Sequence, residues 1–370
     1  MTVLRLPGTR LHYIDNLRTA LTVLVVLHHV AVTYGTIPAW YHFERARDAS
    51  GLALDVFVAV NQAFFMGFFF LIAGMFTPGA HDRKGGRGFL RDRLIRLGVP
   101  LLVYLVALRP LAVFGSYDAV AAATERPDLP YWMFYLVTWD PGPMWFVEVL
   151  LVFAAVYAFY RRRASRRPVP AAAPAPPSLR AVGWFTAGLA AATFLWRLVV
   201  PVGLYVPVLG LPTPSHLPQY AALFAAGVIA HRRGWAAALP ARARRAGFAA
   251  AGVSSLLLFP VVALAPQGGM VQSLAQSVWE AVFAVGLIIG LLTLFRDRYA
   301  GQGRAAGFLS GHAYTVYIIH PVVLVAVSTA VAGLHAAAIV KFALVAVIAL
   351  PLCWGLAYLV RSLPRADRVL

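Results

Sequence analysis

The sequence predicts an all-α, polytopic membrane protein with about ten transmembrane helices and both termini in the cytoplasm. Three observations carry that reading. Of 370 residues, 61% are hydrophobic and only 12% are charged, about half the charged share of a soluble domain. Apolar runs of about 20 residues, enough to cross a bilayer as a helix, recur along the whole chain. Basic residues gather in every second interval between those runs, as they do in cytoplasmic loops. Such sparse polar surface excludes soluble, disordered, fibrous and disulfide-scaffold classes.

The net charge of +18 would point to nucleic acid in a soluble protein. Here the bases flank apolar runs, so the bilayer is the expected partner and nucleic acid is not. Cys353 is the one cysteine, and it lies inside the last apolar run. Neither a disulfide nor a cysteine metal site is expected.

The first run, 16–36, follows Arg5 and Arg10 and exceeds a signal-peptide core, so it reads as a retained helix. The second, 54–76, carries Asn61 and Gln62, the side chains of interhelical hydrogen bonds. The third, 95–116, follows a strongly basic stretch. The Pro-flanked aromatic stretch 129–139 is too short to span and reads as interfacial or re-entrant. The fourth run, 142–160, leads into an Arg/Pro/Ala-rich cytoplasmic loop, 161–179, whose Pro168–Pro177 portion is an extended linker. Runs at 180–201, 217–232 (the shortest), 246–265, 274–295, 312–333 and 337–360 complete the set. A single integral membrane domain over 1–370, with no appended catalytic domain, is expected.

Charge tests the count. With the N-terminus inside, 26 of the 32 basic residues fall in cytoplasmic segments. The exceptions are Arg45, Arg47, Arg109, Arg126, Arg197 and Lys341. Glu44, Asp48, Asp118, Glu125, Asp128 and Asp140 fall in outer loops. Every alternate loop agrees with the positive-inside rule.

Ionisable residues inside a membrane helix are costly and are functional candidates by default. The first run holds Asp15, Arg18, His28 and His29. Arg18 and His29 are eleven positions apart, about three turns plus 20°, so they share one face about 16 Å apart. His28 points about 80° away. Asp15 stands one turn before Arg18 and would orient its guanidinium. Arg93 and Arg96 likewise share a face, and guanidinium forks suit phosphate. Plainer readings accompany each: arginines as cytoplasmic anchors, histidines bonded to neighbouring helices. Glu148, Arg197 and Glu280 lie near the outer ends of their runs and would form an ion-pair cluster beside an acceptor site.

Tyr13-Ile-Asp-Asn-Leu-Arg18, followed by ten residues and His29, resembles the opening signature of the acyltransferase 3 family of membrane proteins. Phe89-x-x-x-Arg93-x-x-Arg96-x-x-x-Pro100 resembles its second, basic motif. Met144-Trp-Phe146 resembles its Leu-Trp-Phe/Tyr segment, and Tyr314-x-x-Tyr317-x-x-His320-Pro321 its late motif. The order and spacing fit across nearly the whole chain. The resemblance implies transfer of an acyl group, often acetyl, from cytoplasmic acyl-CoA to an acceptor such as a cell-envelope carbohydrate. The sequence departs from some members. No extracytoplasmic esterase-like domain follows the helices, and Glu148 stands three residues after Trp145 where some relatives place a Glu at five.

The expected reaction is therefore O-acylation of a hydroxyl on a glycan or glycoside, in a bacterial cytoplasmic membrane. His29 is the base, supported by Arg18 and Asp15. Arg18, Arg93 and Arg96 hold the CoA phosphates. Trp145, Glu148, Tyr317 and His320 are the candidate acceptor-side residues. No metal or redox cofactor is implied. Two rivals remain: a transporter or exporter of a sugar- or lipid-linked substrate, and an acyl-CoA enzyme for a small cytoplasmic metabolite.

Overall fold

The computed structural model describes residues 11–117, 129–164, 175–206, 209–364, 366 and 369–370. The named elements among them are all helical. The chain opens on α1 (His12–Tyr34), α2 (Ser50–Gln62) and α3 (Phe65–Arg93). Two π-helical turns follow, Leu94–Gly98 and Tyr104–Leu108, each leading into a short segment, α4 (Val99–Val103) and α5 (Arg109–Val113). Next come α6 (Tyr131–Val137), α7 (Trp145–Ala164), α8 (Leu179–Arg197), α9 (Leu217–Arg232) and the short α10 (Trp235–Ala238). Four long helices close the chain: α11 (Arg242–Leu264), α12 (Met270–Arg298), α13 (Arg304–Ala330) and α14 (Ala338–Arg361).

Among the described residues, eight helical stretches are long and apolar enough to cross a membrane. The all-α, polytopic class is thus the observed one. One stretch, Ser50–Ser116, runs 67 residues and has room for two of the expected spans at about 20 residues each. α9 covers another expected span with only 16 residues. The count of ten and the sidedness rest on the charge pattern. Reporter fusions after residues 165 and 240 are expected to read cytoplasmic, and a fusion after residue 125 to read external. A cytoplasmic signal at residue 125 overturns the ten-span arrangement.

The expected run 54–76 is broken between α2 and α3 at Ala63-Phe64. A chain break at membrane depth must have its backbone groups satisfied by protein. Here the buried Gln219 amide donates to the Ala63 carbonyl at 2.8 Å. The amides predicted to bond between helices do so: Asn61 donates to the Leu24 carbonyl at 3.2 Å, and Gln62 to the Tyr220 hydroxyl at 3.1 Å. The stretch 129–139 contains α6, whose Tyr131 and Tyr135 hydroxyls donate to the Pro110 and Leu105 carbonyls. In the 161–179 loop, α7 extends to Ala164 and α8 begins at Leu179. Residues 165–174 lie outside the described residues, as do Arg5, Arg10, Asp118, Glu125, Arg126 and Asp128.

α1, α12 and α13 form the centre of the bundle, with 61%, 61% and 67% of their apolar windows buried, against 17% for α8 and α11. Small residues let backbones meet where lipid offers no hydrophobic drive. A Cβ on Gly227 of α9 would stand 2.1 Å from the Leu71 carbonyl oxygen of α3. One on Gly247 of α11 would stand 2.4 Å from that of Gly286 on α12. The central position of α1 and α13 is what brings their histidines together.

Candidate active site

Proline creates the hydrogen-bonding geometry of the site. A helical proline has no N–H to return to the carbonyl four residues earlier. Pro100 therefore leaves the Arg96 carbonyl short of a donor, and the Tyr314 hydroxyl of α13 donates to it at 2.9 Å. Pro321 does the same to the Tyr317 carbonyl, which lies 2.7 Å from Nδ1 of His320. Tyr317 itself donates to the Pro143 carbonyl, just before α7. Tyr314, Tyr317 and His320 thus stand one turn apart on α13. Their rings form a ladder with centroids 6.4 and 6.0 Å apart.

At the top of the ladder, His320 Nε2 lies 3.2 Å from His29 Nδ1. His320 is fully buried and His29 half-buried. Both tautomers follow from their partners. The Tyr317 carbonyl can only accept, so His320 carries its proton on Nδ1 and offers Nε2 as an acceptor. His29 Nδ1 lies 2.9 Å from the Val25 carbonyl, so this nitrogen too is the protonated one. The Nε2 lone pair of His29 is left for chemistry. His28 faces elsewhere, stacked on Phe65 at 4.9 Å with Asn61 Nδ2 at 3.4 Å.

Trp40, from the loop after α1, stacks on His29 at 4.0 Å and is parallel to His320 at 6.1 Å. Its indole nitrogen has no hydrogen-bond partner among the described residues. Sequence reasoning missed it. The run Ala39-Trp-Tyr-His42, which begins ten residues after His29, was the available signal.

The basic residues lie at the other end of the ladder. Arg18 reaches Asp15 at 3.8 Å, the pairing expected from their spacing. Arg93 lies over the Phe89 ring at 5.2 Å, and Arg96 pairs with Asp92 at 3.3 Å. Arg18 and Arg93 both act electrostatically on the Tyr314 phenol. So α1, α3 and α13 share one basic end, open enough that Arg18 is 42% and Arg96 57% exposed.

The acceptor-side candidates divide. Tyr317 and His320 belong to the ladder. Trp145 packs among Phe70, Phe146 and Tyr220. The half-buried Glu148 makes no ion pair among the described residues, so the expected trio with Arg197 and Glu280 does not form. Arg197 and Glu280 do meet, at 2.6 Å, and the third member is His216, 3.3 Å from the same carboxylate oxygen. The short turn Pro214–His216 carries His216 into place, which hydropathy alone does not reveal. No group of three His, Cys, Asp or Glu placed to hold a metal ion occurs among the described residues.

A family model described as an acyltransferase domain, that of acyltransferase 3, matches residues 11–358. The chain belongs to the acyltransferase 3 family. The matched domain is that of an acyltransferase, in a chain rich in helices long and apolar enough to span a membrane. It is also similar to "Glucans biosynthesis protein C" of Salmonella paratyphi B and of Salmonella heidelberg. Identity is 29% over 174 residues, covering 45% of this chain and 44% of each relative. The chain thus matches less than half the length of these curated relatives. No solved structure matches it. Within this acyltransferase the four sequence motifs converge. The late motif bonds the basic motif at Arg96, the segment before Trp145 at Pro143, and the opening motif at His29.

Proposed function

We propose that the protein transfers an acyl group, acetyl in the simplest case, from acyl-CoA to a hydroxyl of a glycan or glycoside in a bacterial cytoplasmic membrane. The observation that carries this reading is the His29–His320 pair, in which partner carbonyls leave only Nε2 of His29 as a free lone pair. His29 Nε2 takes the proton of the acceptor hydroxyl as its oxygen attacks the thioester carbonyl carbon. The C–S bond breaks, and His29 returns that proton to the departing sulfur. The products are an ester and the free CoA thiol, with no net proton change. His320, accepting from His29 Nδ1, steadies the imidazolium while it exists.

Arg18, Arg93 and Arg96 neutralise the CoA phosphates at the basic end, with Asp15 orienting Arg18. Tyr317, Glu148 and Trp145 line the acceptor side. A glycan acceptor accords with the relatives' name, glucans biosynthesis protein C, and a soluble metabolite is the alternative outcome. The test is purified protein with labelled acetyl-CoA and a panel of glycans, glycosides and small hydroxylated metabolites. Label on a glycan is expected. Label on a metabolite alone, or on nothing, overturns the reading.

The donor assignment has its own check. Arg93→Gln or Arg96→Gln is expected to weaken acyl-CoA binding by about 10- to 150-fold, the loss of about 1.5–3 kcal/mol for a charge-assisted hydrogen bond. Unchanged affinity in both single variants, measured by equilibrium binding, returns these residues to the role of cytoplasmic anchors.

A further inference from the structure

Six basic residues fall outside the cytoplasmic pattern, and three of them line one cavity. It holds about 520 Å³ between the loop after α1 and the start of α14, and its wall includes Arg45, Arg47 and Lys341. Positive charge in an outer loop runs against the insertion rule, so it calls for a local cause. Two backbone hydrogen bonds, Glu44 to Thr33 at 2.9 Å and Ala46 to Gly35 at 3.0 Å, fold the loop back on the end of α1. The same loop therefore places Trp40 on His29 and the cavity just beyond it. Tyr34, also in the wall, is five residues past His29, about 7.5 Å along the helix.

The charges in this cavity are not equivalent. Lys341 is buried and donates to Glu44 Oε1 at 2.5 Å. Asp48 is committed to Ser50 and to the Ala338 N–H at the start of α14, and these hydrogen bonds hold its carboxyl below the usual range. Burial pushes His42 down, which leaves it neutral. Arg45 and Arg47 are exposed, and neither has a hydrogen bond or ion pair among the described residues. Glu44 Oε2 is itself buried, with no hydrogen-bond partner among the described residues, so Glu44 serves to hold Lys341.

We propose that this cavity docks an acidic saccharide unit of the acceptor, its anionic oxygens on the exposed Arg45 and Arg47. The inference rests on the glycan acceptor and the orientation argued above, and it adds the acceptor's charge. Two guanidinium groups suit a carboxylate or phosphate, whereas a neutral sugar offers them no charge to pair with. Lys341 stiffens the site by holding Glu44.

The test compares a glucuronate-bearing oligosaccharide with a neutral gluco-oligosaccharide of equal length. The protein is used full-length in nanodiscs of phosphatidylcholine. Direct binding is measured first, so the outcome does not depend on turnover. The acidic probe is expected to bind at least tenfold tighter, with the advantage shrinking as salt rises. Arg45→Gln/Arg47→Gln is expected to abolish the difference and raise KM for the acidic acceptor by about 10- to 150-fold. Its kcat and acyl-CoA affinity should stay at the native values. Equal binding of both probes, or a double variant that keeps the preference, overturns the proposal even where transfer to glycans is observed. Displacement of the acidic probe by phosphatidylglycerol in the nanodisc also overturns it, assigning the pair to a lipid headgroup. Acidic-probe binding without transfer to any acceptor upholds the dock and counts against the reaction instead.

Discussion

His29→Ala is expected to lose about 10²–10⁴-fold in transfer rate, the usual contribution of a general base, while still binding acyl-CoA through the basic end. His28→Ala is expected to lose far less, because its ring packs on Phe65 and Asn61 away from the ladder. His320→Ala should fall between them, since it removes the second acceptor of the His29 Nδ1 proton, which the Val25 carbonyl still accepts, and leaves Nε2 in place. Single-turnover rates with labelled acyl-CoA, measured beside equilibrium donor binding, separate these cases. A dead His28→Ala with an active His29→Ala would mean that the wrong face of α1 has been assigned. Activity in both variants moves the base elsewhere, with His320 the next candidate.

The second large effect concerns stability. Glu280→Ala leaves the guanidinium of Arg197, a residue only 4% exposed, without its carboxylate. Removing one partner of a buried ion pair costs about 3–5 kcal/mol, whereas replacing both by apolar groups is often neutral. Glu280→Ala is thus expected to lower the unfolding midpoint in detergent strongly, and Arg197→Leu/Glu280→Leu to recover most of the loss. Hydrogen bonds from Gln276 to Glu280 at 2.8 Å and from Arg197 to Ser277 at 3.2 Å add to the pair. A Glu280→Ala midpoint equal to the native one would show that the cluster is not a structural tie.

The membrane class, the helical runs and the residues of the four motifs were legible because hydropathy, charge alternation and spacing are local signals. What could not be read depends on contacts between distant segments. His29 and His320 are 291 positions apart, and only the packing of α1 on α13 makes them a pair. His216 displaced Glu148 from the expected cluster because a three-residue turn aims it inward. The break at Ala63-Phe64 escaped notice because both flanks are equally apolar, and its repair by Gln219 comes from 156 positions away. Trp40 was hidden for a similar reason: a loop residue has no periodicity to mark the face it covers.

The tyrosine bonds of α13 end on main-chain oxygens, those of Arg96 and Pro143. Every amino acid carries that oxygen, so the side chain at position 96 can change while the seam persists. Sequence drift in the basic segment is therefore decoupled from the joint that fastens it to the histidine helix. The charge presented at this end can be changed by substitution without touching the tyrosines. The reverse does not hold: phenylalanine at position 314 would leave the carbonyl exposed by Pro100 unanswered, whatever residue stood at 96.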